Sequence, residues 1–283
     1  MDDASFIRYL TAKKSVDDRS LNRNVWDRMI RAFTGRHPRI LELGGGVGTM
    51  IERAATDGRL HPSLWTMIDA QPALIDEARR RLSTMSGFAV ELRAADLRAH
   101  LDSGSTPAEL IVANAFLDLF DPGAALRSIA PLGAPGALFL FSITFDGLTA
   151  LEPEIDPALD RRIVELYHQT MDDRIVDGAP SGDSRCGRHL LTLLPRCGYT
   201  IVEAGASDWI VYPHEGSYPA DEAYFLTCIL GFIEESLSAR PEMDQRKLQN
   251  WLNIRRKQVA AGELVFLAHQ LDVLAALDHP LRG

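Results

Sequence analysis

Three acids each close a short stretch rich in apolar residues: Glu42 in ILELG, Asp69 in TMIDA and Asp96 in AADL. A carboxylate so placed can accept hydrogen bonds from the hydroxyl or amino groups of a ligand. The first of these stretches continues as ILELGGGVGTM, with Gly44, Gly45, Gly46 and Gly48. Glycine lets a backbone turn sharply and approach a ligand without a Cβ in the way. A second set of residues suits proton transfer. LYHQTMDDR offers His168 and, four residues on, Asp172, which can share one helix face. SGDSRCGRHL offers Asp183, Arg188 and His189. Histidine or carboxylate can take a proton from a hydroxyl or amine near neutral pH. Plainer uses compete with each. A strand-terminal Asp can cap the next helix, Asp183 and Ser184 can cap RCGRHLLTLL, and His269 in the final apolar run suits a core position.

These residues need a scaffold, and the chain alternates strand and helix. RILELG, LWTMID, GFAVEL, ELIVAN and GALFLFSI read as strands. TMIERAATDGRL, QPALIDEARRRLSTM and DPGAALRSIAPLG read as helices, the second with Pro72 in its first turn and acids before bases. This order predicts an α/β fold, a doubly wound and mostly parallel sheet, with ligands at the carboxyl ends of the strands. YTIVEAGASDWIVY and GELVFLAHQLDVL supply the last two strands, with a kink expected near Gly205. Two long pieces interrupt the alternation, with helices expected at PALDRRIVELYHQTMDD, ADEAYFLTCILGFIEESL and DQRKLQNWLNIRRKQV. Long insertions in compact domains are commonly lids. The expected division is therefore 1–38 as an N-terminal helical flap, 39–146 as the Rossmann-like core and 147–184 as a first cap insertion. Residues 185–212 form a core helix and sixth strand, 213–261 a second cap insertion, and 262–283 the terminal strand and tail.

The glycine loop admits three ligand readings. A phosphate loop needs GxxxxGK[ST], and no lysine follows these glycines. A dinucleotide fingerprint counted from Gly44 and Gly46 meets Thr49 where its third glycine belongs. The pattern (E/D)xGxGxG is met in full by Glu42, Gly44, Gly46 and Gly48. Here the first half of the chain resembles the class I S-adenosylmethionine (SAM)-dependent methyltransferases, and the ending AGELVFLAHQLDVLAAL resembles those of bacterial small-molecule type. The resemblance implies a seven-stranded sheet with its last strand antiparallel, and SAM as cofactor. It places Glu42 at the cofactor's ammonium, directly or through water, and the glycines, Gly45 included, along its methionine end. Asp69, with Ala70 beside it, takes the ribose hydroxyls. Asp96 takes the adenine amino group, and Leu97 packs on the ring. The ANAFLDLF loop would border the transferable methyl group, making Asn114 a cofactor neighbour and Phe116 and Asp118 walls for the acceptor. The Asn-Pro-Pro-aromatic motif that marks methylation of exocyclic base amines does not occur after this strand.

A net charge of −9 argues against a nucleic-acid partner. Three cysteines without metal spacing fit a reducing cytoplasm and no metal site. No apolar run reaches membrane-spanning length. The expectation is a cytoplasmic enzyme that transfers methyl from SAM to a small molecule in a lidded pocket, O-methylation being mildly favoured on base rate. The alternative is a SAM-binding enzyme of the same fold with other chemistry, a cyclase or decarboxylase. His168 and His189 are the candidate bases, and Tyr218 a candidate wall of the acceptor pocket. Arg19, in the polar stretch SVDDRSLNR, would face the cofactor's carboxylate from a flap. Apolar cap helices could pair two chains as a homodimer or close the lid.

Overall fold

The computed structural model describes residues 1–102, 106–176 and 178–277, so residues 278–283 of the expected tail lie outside the described residues. Five parallel strands carry the core: β1 (Arg39–Leu43), β2 (Leu64–Asp69), β3 (Val90–Ala94), β4 (Ala108–Asn114) and the first half of β5 (Gly133–Glu152). Helices α3 (Thr49–Asp57), α4 (Pro72–Leu82), α5 (Leu97–Asp102) and α6 (Pro122–Ile129) connect them. The strands are apolar because both faces are covered. Ile40, Leu110, Val112 and Leu140 pack with α2 (Arg23–Ala32), α3 and α4 on one side. Leu41, Ile111, Phe139 and Phe141 pack with α6 and α8 (Cys186–Arg196) on the other.

Among the described residues the sheet has eight strands, not seven, in the order β3-β2-β1-β4-β5-β10-β8, with a short β9 also on β10. β10 (Val265–Leu277) runs antiparallel to both β5 and β8 (Tyr199–Ala206). The extra strand arises because the chain breaks after β8 and resumes as β9 (Trp209–Val211). The break falls at Ser207 and Asp208 rather than near Gly205. Asp208 leaves the ladder and its carboxylate binds the His269 ring at 2.7 Å, so His269 is paired at the sheet surface instead of buried in the core.

β5 is far longer than its apolar run suggests. It bends at Ile143, whose φ of +53° is a strained conformation for a β-branched residue. Asp272 of β10, 1% exposed, holds the bend by accepting from the Ile143 N–H at 2.7 Å. Beyond Thr144, β5 and β10 pair, among the described residues, with each other and β9, and rise past the core as a platform. The core strand therefore runs to Glu152, into the segment expected to begin the first insertion.

Four helices sit on that platform. They are α1 (Asp3–Ser20), α7 (Pro157–Asp172), α9 (Glu222–Leu237) and α10 (Gln245–Ala261), and they share one core of Tyr9, Val16, Leu166, Phe225, Leu230 and Trp251. A two-stranded hairpin, β6 (Ile175–Val176) with β7 (Ala179–Pro180), follows α7. The amino-terminal helix is thus part of the cap. α1 stops at Ser20, and α2 restarts behind Asn22, whose side chain accepts from the Asn24 and Val25 N–H groups.

Candidate active site

One cavity of about 1000 Å³ lies between the carboxyl ends of the strands and the cap. This is the upper end of the size range for small-molecule sites. Its floor is the glycine loop. Gly44 and Gly46 both have positive φ, +61° and +57°. A Cβ on Gly44 would lie 2.6 Å from the Phe116 ring, and one on Gly46 would lie 3.2 Å from Leu10 of α1. The loop is therefore closed from both sides, and only glycine fits there without displacement. Gly48 stands one step back, as the left-handed residue that starts α3.

Asp69 sits at the tip of β2. Its two carboxylate oxygens accept from the Gly46 and Gln71 N–H groups, both at 2.9 Å. That leaves a free lone pair on each oxygen toward the cavity, the arrangement that a vicinal diol can meet. Ala70, Asp96, Leu97 and Asn114 line the same wall. Ser142 donates to the Asn114 side-chain oxygen at 2.9 Å and fixes the amide. Phe116 and Asp118 follow on the loop after β4 and also line the cavity.

Glu42 does not line it. The carboxyl is 1% exposed under the glycine loop and accepts from the Trp65 indole at 2.9 Å. Burial pushes its pKa up to about 8, so it is largely protonated at neutral pH and presents no charge to a ligand. Arg19 also points away. Its guanidinium is taken by the fully buried Glu222, which draws it to the outer side of α1. The Tyr218 hydroxyl donates to the Leu264 carbonyl at 2.8 Å, outside the cavity. His189 pairs with Asp183 at 2.6 Å beside a separate shallow cleft. His168 stands behind the wall. Its Nε2 lies 3.0 Å from the hydroxyl of Thr149, and Thr149 itself lines the cavity. Asp172 is not its partner, because that carboxylate accepts from the Ser184 N–H and hydroxyl. Burial lowers the His168 pKa to about 4, so the ring is neutral at physiological pH.

Sequence reasoning missed the cap's share of the wall. Phe6, Tyr9, Phe145, Tyr167, Phe232 and Phe266 make it aromatic. Three buried polar side chains interrupt it. Lys13 donates to Asp17 at 2.5 Å, and Asp17 also accepts from the Trp209 indole at 2.9 Å. Gln270 is 1% exposed, and its side-chain oxygen has no partner. A signal for the first pair existed in the sequence. Tyr9, Ala12 and Val16 form an apolar stripe, and Lys13 falls in the middle of it.

Residues 40–136 match the family model for a methyltransferase domain. Among solved structures, a methyltransferase from Bacillus halodurans, itself described as putative, is similar at 11% identity. The match covers 90% of this chain and 99% of that one, with a TM-score of 0.51. The YcgJ protein from Bacillus subtilis matches at 11% identity over 91% and 99%, TM-score 0.48. A SAM-dependent methyltransferase from Thiobacillus denitrificans in complex with S-adenosyl-L-homocysteine matches at 15% identity over 91% and 92%, TM-score 0.47. The comparison with curated proteins finds no match. Residues 40–136 are a methyltransferase domain, and the glycine loop and strand ends that floor the cavity belong to it.

The residues present fit S-adenosylmethionine: each Asp69 oxygen accepts one backbone N–H and keeps capacity for a vicinal diol, and Asp96, Leu97 and Asn114 line the same cavity. No helix among the described residues is long and apolar enough to cross a membrane.

Proposed function

We propose that the chain methylates a small, largely apolar molecule held in the chamber beneath the cap, with a hydroxyl as the favoured acceptor. The carrying observation is the continuity of the cavity. The wall of Asp69, Asp96 and Leu97 opens directly onto the aromatic wall of Tyr9, Phe145, Tyr167 and Phe232. SAM supplies an electrophilic methyl on a sulfonium, so the protein's part is placement, exclusion of water and proton removal.

In this reading Asp69 takes the ribose diol, Asp96 and Leu97 the adenine, and Gly44, Gly45 and Gly46 the methionine stem. Lys13 replaces Arg19 as the cation for the methionine carboxylate. α1 lays Leu10 against the glycine loop, and Lys13, one turn on, lines the same cavity. The cap supplies apolar walls that bury the acceptor and exclude water. A net charge of −9 and an enclosed aromatic chamber suit a small molecule better than a nucleic acid. The apolar faces of α7, α9 and α10 pack within the chain, so they close the lid and a homodimer through those faces forms no part of this reading.

Calorimetry with SAM, S-adenosylhomocysteine and NAD tests the cofactor half. Binding of the first two without the third is expected, and NAD binding alone would refute it. Transfer of labelled methyl to apolar acceptors tests the other half.

A further inference from the structure

We infer that Asp118 is the general base of the reaction and that the acceptor is a planar, apolar molecule bearing a weakly acidic hydroxyl. This rests on the methyl-transfer reading above and names the acceptor's chemistry and the group that receives its proton.

Position comes first. Asp118 lies four residues beyond Asn114, on the loop after β4, the strand that neighbours β1 and its glycine loop. The ring of Phe116 on the same loop covers Gly44. Asp118 therefore borders the junction between the cofactor wall and the aromatic chamber, and it lines the cavity. Its carboxylate accepts from its own backbone N–H, and among the described residues the buried Oδ1 has no further hydrogen-bond partner. Most buried carboxylate oxygens are satisfied, so a residue with one unsatisfied oxygen on a cavity wall has acceptor capacity left for a ligand. Among the other acids that line the cavity, Asp17 is taken by Lys13 and Trp209, Asp69 and Asp96 are assigned to the cofactor in the reading above, and Glu235 is exposed.

The surroundings tune it. Lys13 and Tyr9 face it from α1, Tyr167 and Arg174 from α7 and its end, and Asp183 and Cys186 from the start of α8. Burial raises the pKa to about 6, outweighing the hydrogen bond from its own backbone N–H and the two cations, while Asp183 adds to the rise. A base at that value is ionised at neutral pH and close enough to it to drive proton transfer. The chamber selects the partner. Phe116 and Phe120, with ring centres 4.8 Å apart, stand on the Asp118 loop, and Phe145 and Tyr167 line the cap side. Flat apolar faces between such rings bury well.

The step balances without a further reactant. The hydroxyl oxygen of the acceptor forms its bond to the methyl carbon as its proton passes to the Asp118 carboxylate. The carbon–sulfur bond breaks with its electron pair left on sulfur, giving neutral S-adenosylhomocysteine. Asp118 then returns the proton to solvent.

The test uses 1-naphthol, 1-naphthylamine and 1-naphthoic acid, which place a hydroxyl, an amine and a carboxyl on one planar frame, with methyl-labelled SAM. Wild type should methylate the naphthol fastest. Asp118→Asn should lower kcat/KM by at least about 100-fold and abolish the acidic limb of the pH profile, with S-adenosylhomocysteine affinity retained. A second readout is independent of turnover. In ¹³C-aspartate spectra of the S-adenosylhomocysteine complex, a carboxyl signal that titrates clearly above the ordinary aspartate range should vanish in Asp118→Asn, while that of the buried Asp272 stays. Transfer by wild type with Asp118→Asn within about 3-fold of it, or an Asp118 carboxyl titrating in the ordinary range, overturns the base and leaves methyl transfer standing. Fastest transfer to the amine or the acid overturns the hydroxyl assignment. No transfer to any of the three by wild type overturns the apolar-acceptor reading itself.

Discussion

Replacing Glu42 by Gln separates a structural acid from a cofactor ligand. Glu42 is buried, accepts a hydrogen bond from Trp65, and its pKa moves from 4.5 to about 8. The direction fixes the sign. Below pH 4.5 both folded and unfolded chains hold the proton. Between pH 4.5 and about 8 the unfolded chain releases a proton that the folded chain keeps, so stability falls by about 1.4 kcal/mol per pH unit. The whole window is worth about 5 kcal/mol, and above it the loss is constant. Gln cannot ionise, and its carbonyl still accepts from Trp65. Urea unfolding of wild type and Glu42→Gln at pH 5, 7 and 9 should show a difference that grows with pH in favour of the variant. Other titrating groups cancel in that difference. Calorimetry with S-adenosylhomocysteine should give dissociation constants within about 3-fold, or under 1 kcal/mol. A stability difference that is flat with pH would show Glu42 ionised in the ordinary range. A loss of affinity of tenfold or more would show its charge reaching the ligand. Either result refutes the buried, neutral assignment.

Other substitutions probe the remaining walls. Asp69→Ala removes the acceptor of the Gly46 and Gln71 N–H groups and of the proposed ribose contacts. It should weaken S-adenosylhomocysteine binding by about 10- to 100-fold, the scale of charged hydrogen bonds of 1.5–3 kcal/mol, as read by calorimetry. Lys13→Met leaves the buried Asp17 without its cation and should lower unfolding free energy by about 3–5 kcal/mol, measured in urea. His168→Gln removes a ring whose pKa is lowered from 6.5 to about 4. Wild type loses stability as pH falls from 6.5 toward 4, because the unfolded chain binds a proton there first. The variant should escape that loss, about 3 kcal/mol in full.

The glycine loop and the acids closing β1, β2 and β3 were legible because they are local. A strand that ends in glycine, and an acid one residue before a turn, are fixed by neighbours in sequence. The sheet class followed from the alternation of apolar runs with helical segments, and the cap helices from amphipathic patterns that interrupt it. The sequence could not show the eighth strand, since the break at Ser207 and Asp208 depends on a side-chain bond to His269, 61 residues away. The true length of β5 was hidden likewise. Its bend at Ile143 exists because Asp272, 129 residues on, caps that N–H.

What the sequence by itself determined is the strand-end side of the cavity: Gly44, Gly46, Asp69 and Asp96 follow successive strands, and parallel strands bring such ends to one edge. Which acids face that edge was decided only by tertiary structure. Side chains alternate across a strand, and burial, not position in the motif, set Glu42 beneath the loop as a largely neutral group. The cap side of the cavity was decided there altogether. Lys13, Thr149, Tyr167 and Gln270 come from four elements far apart in the chain, and only the packing of α1, α7 and α9 on the rising ends of β5 and β10 gathers them around one cavity.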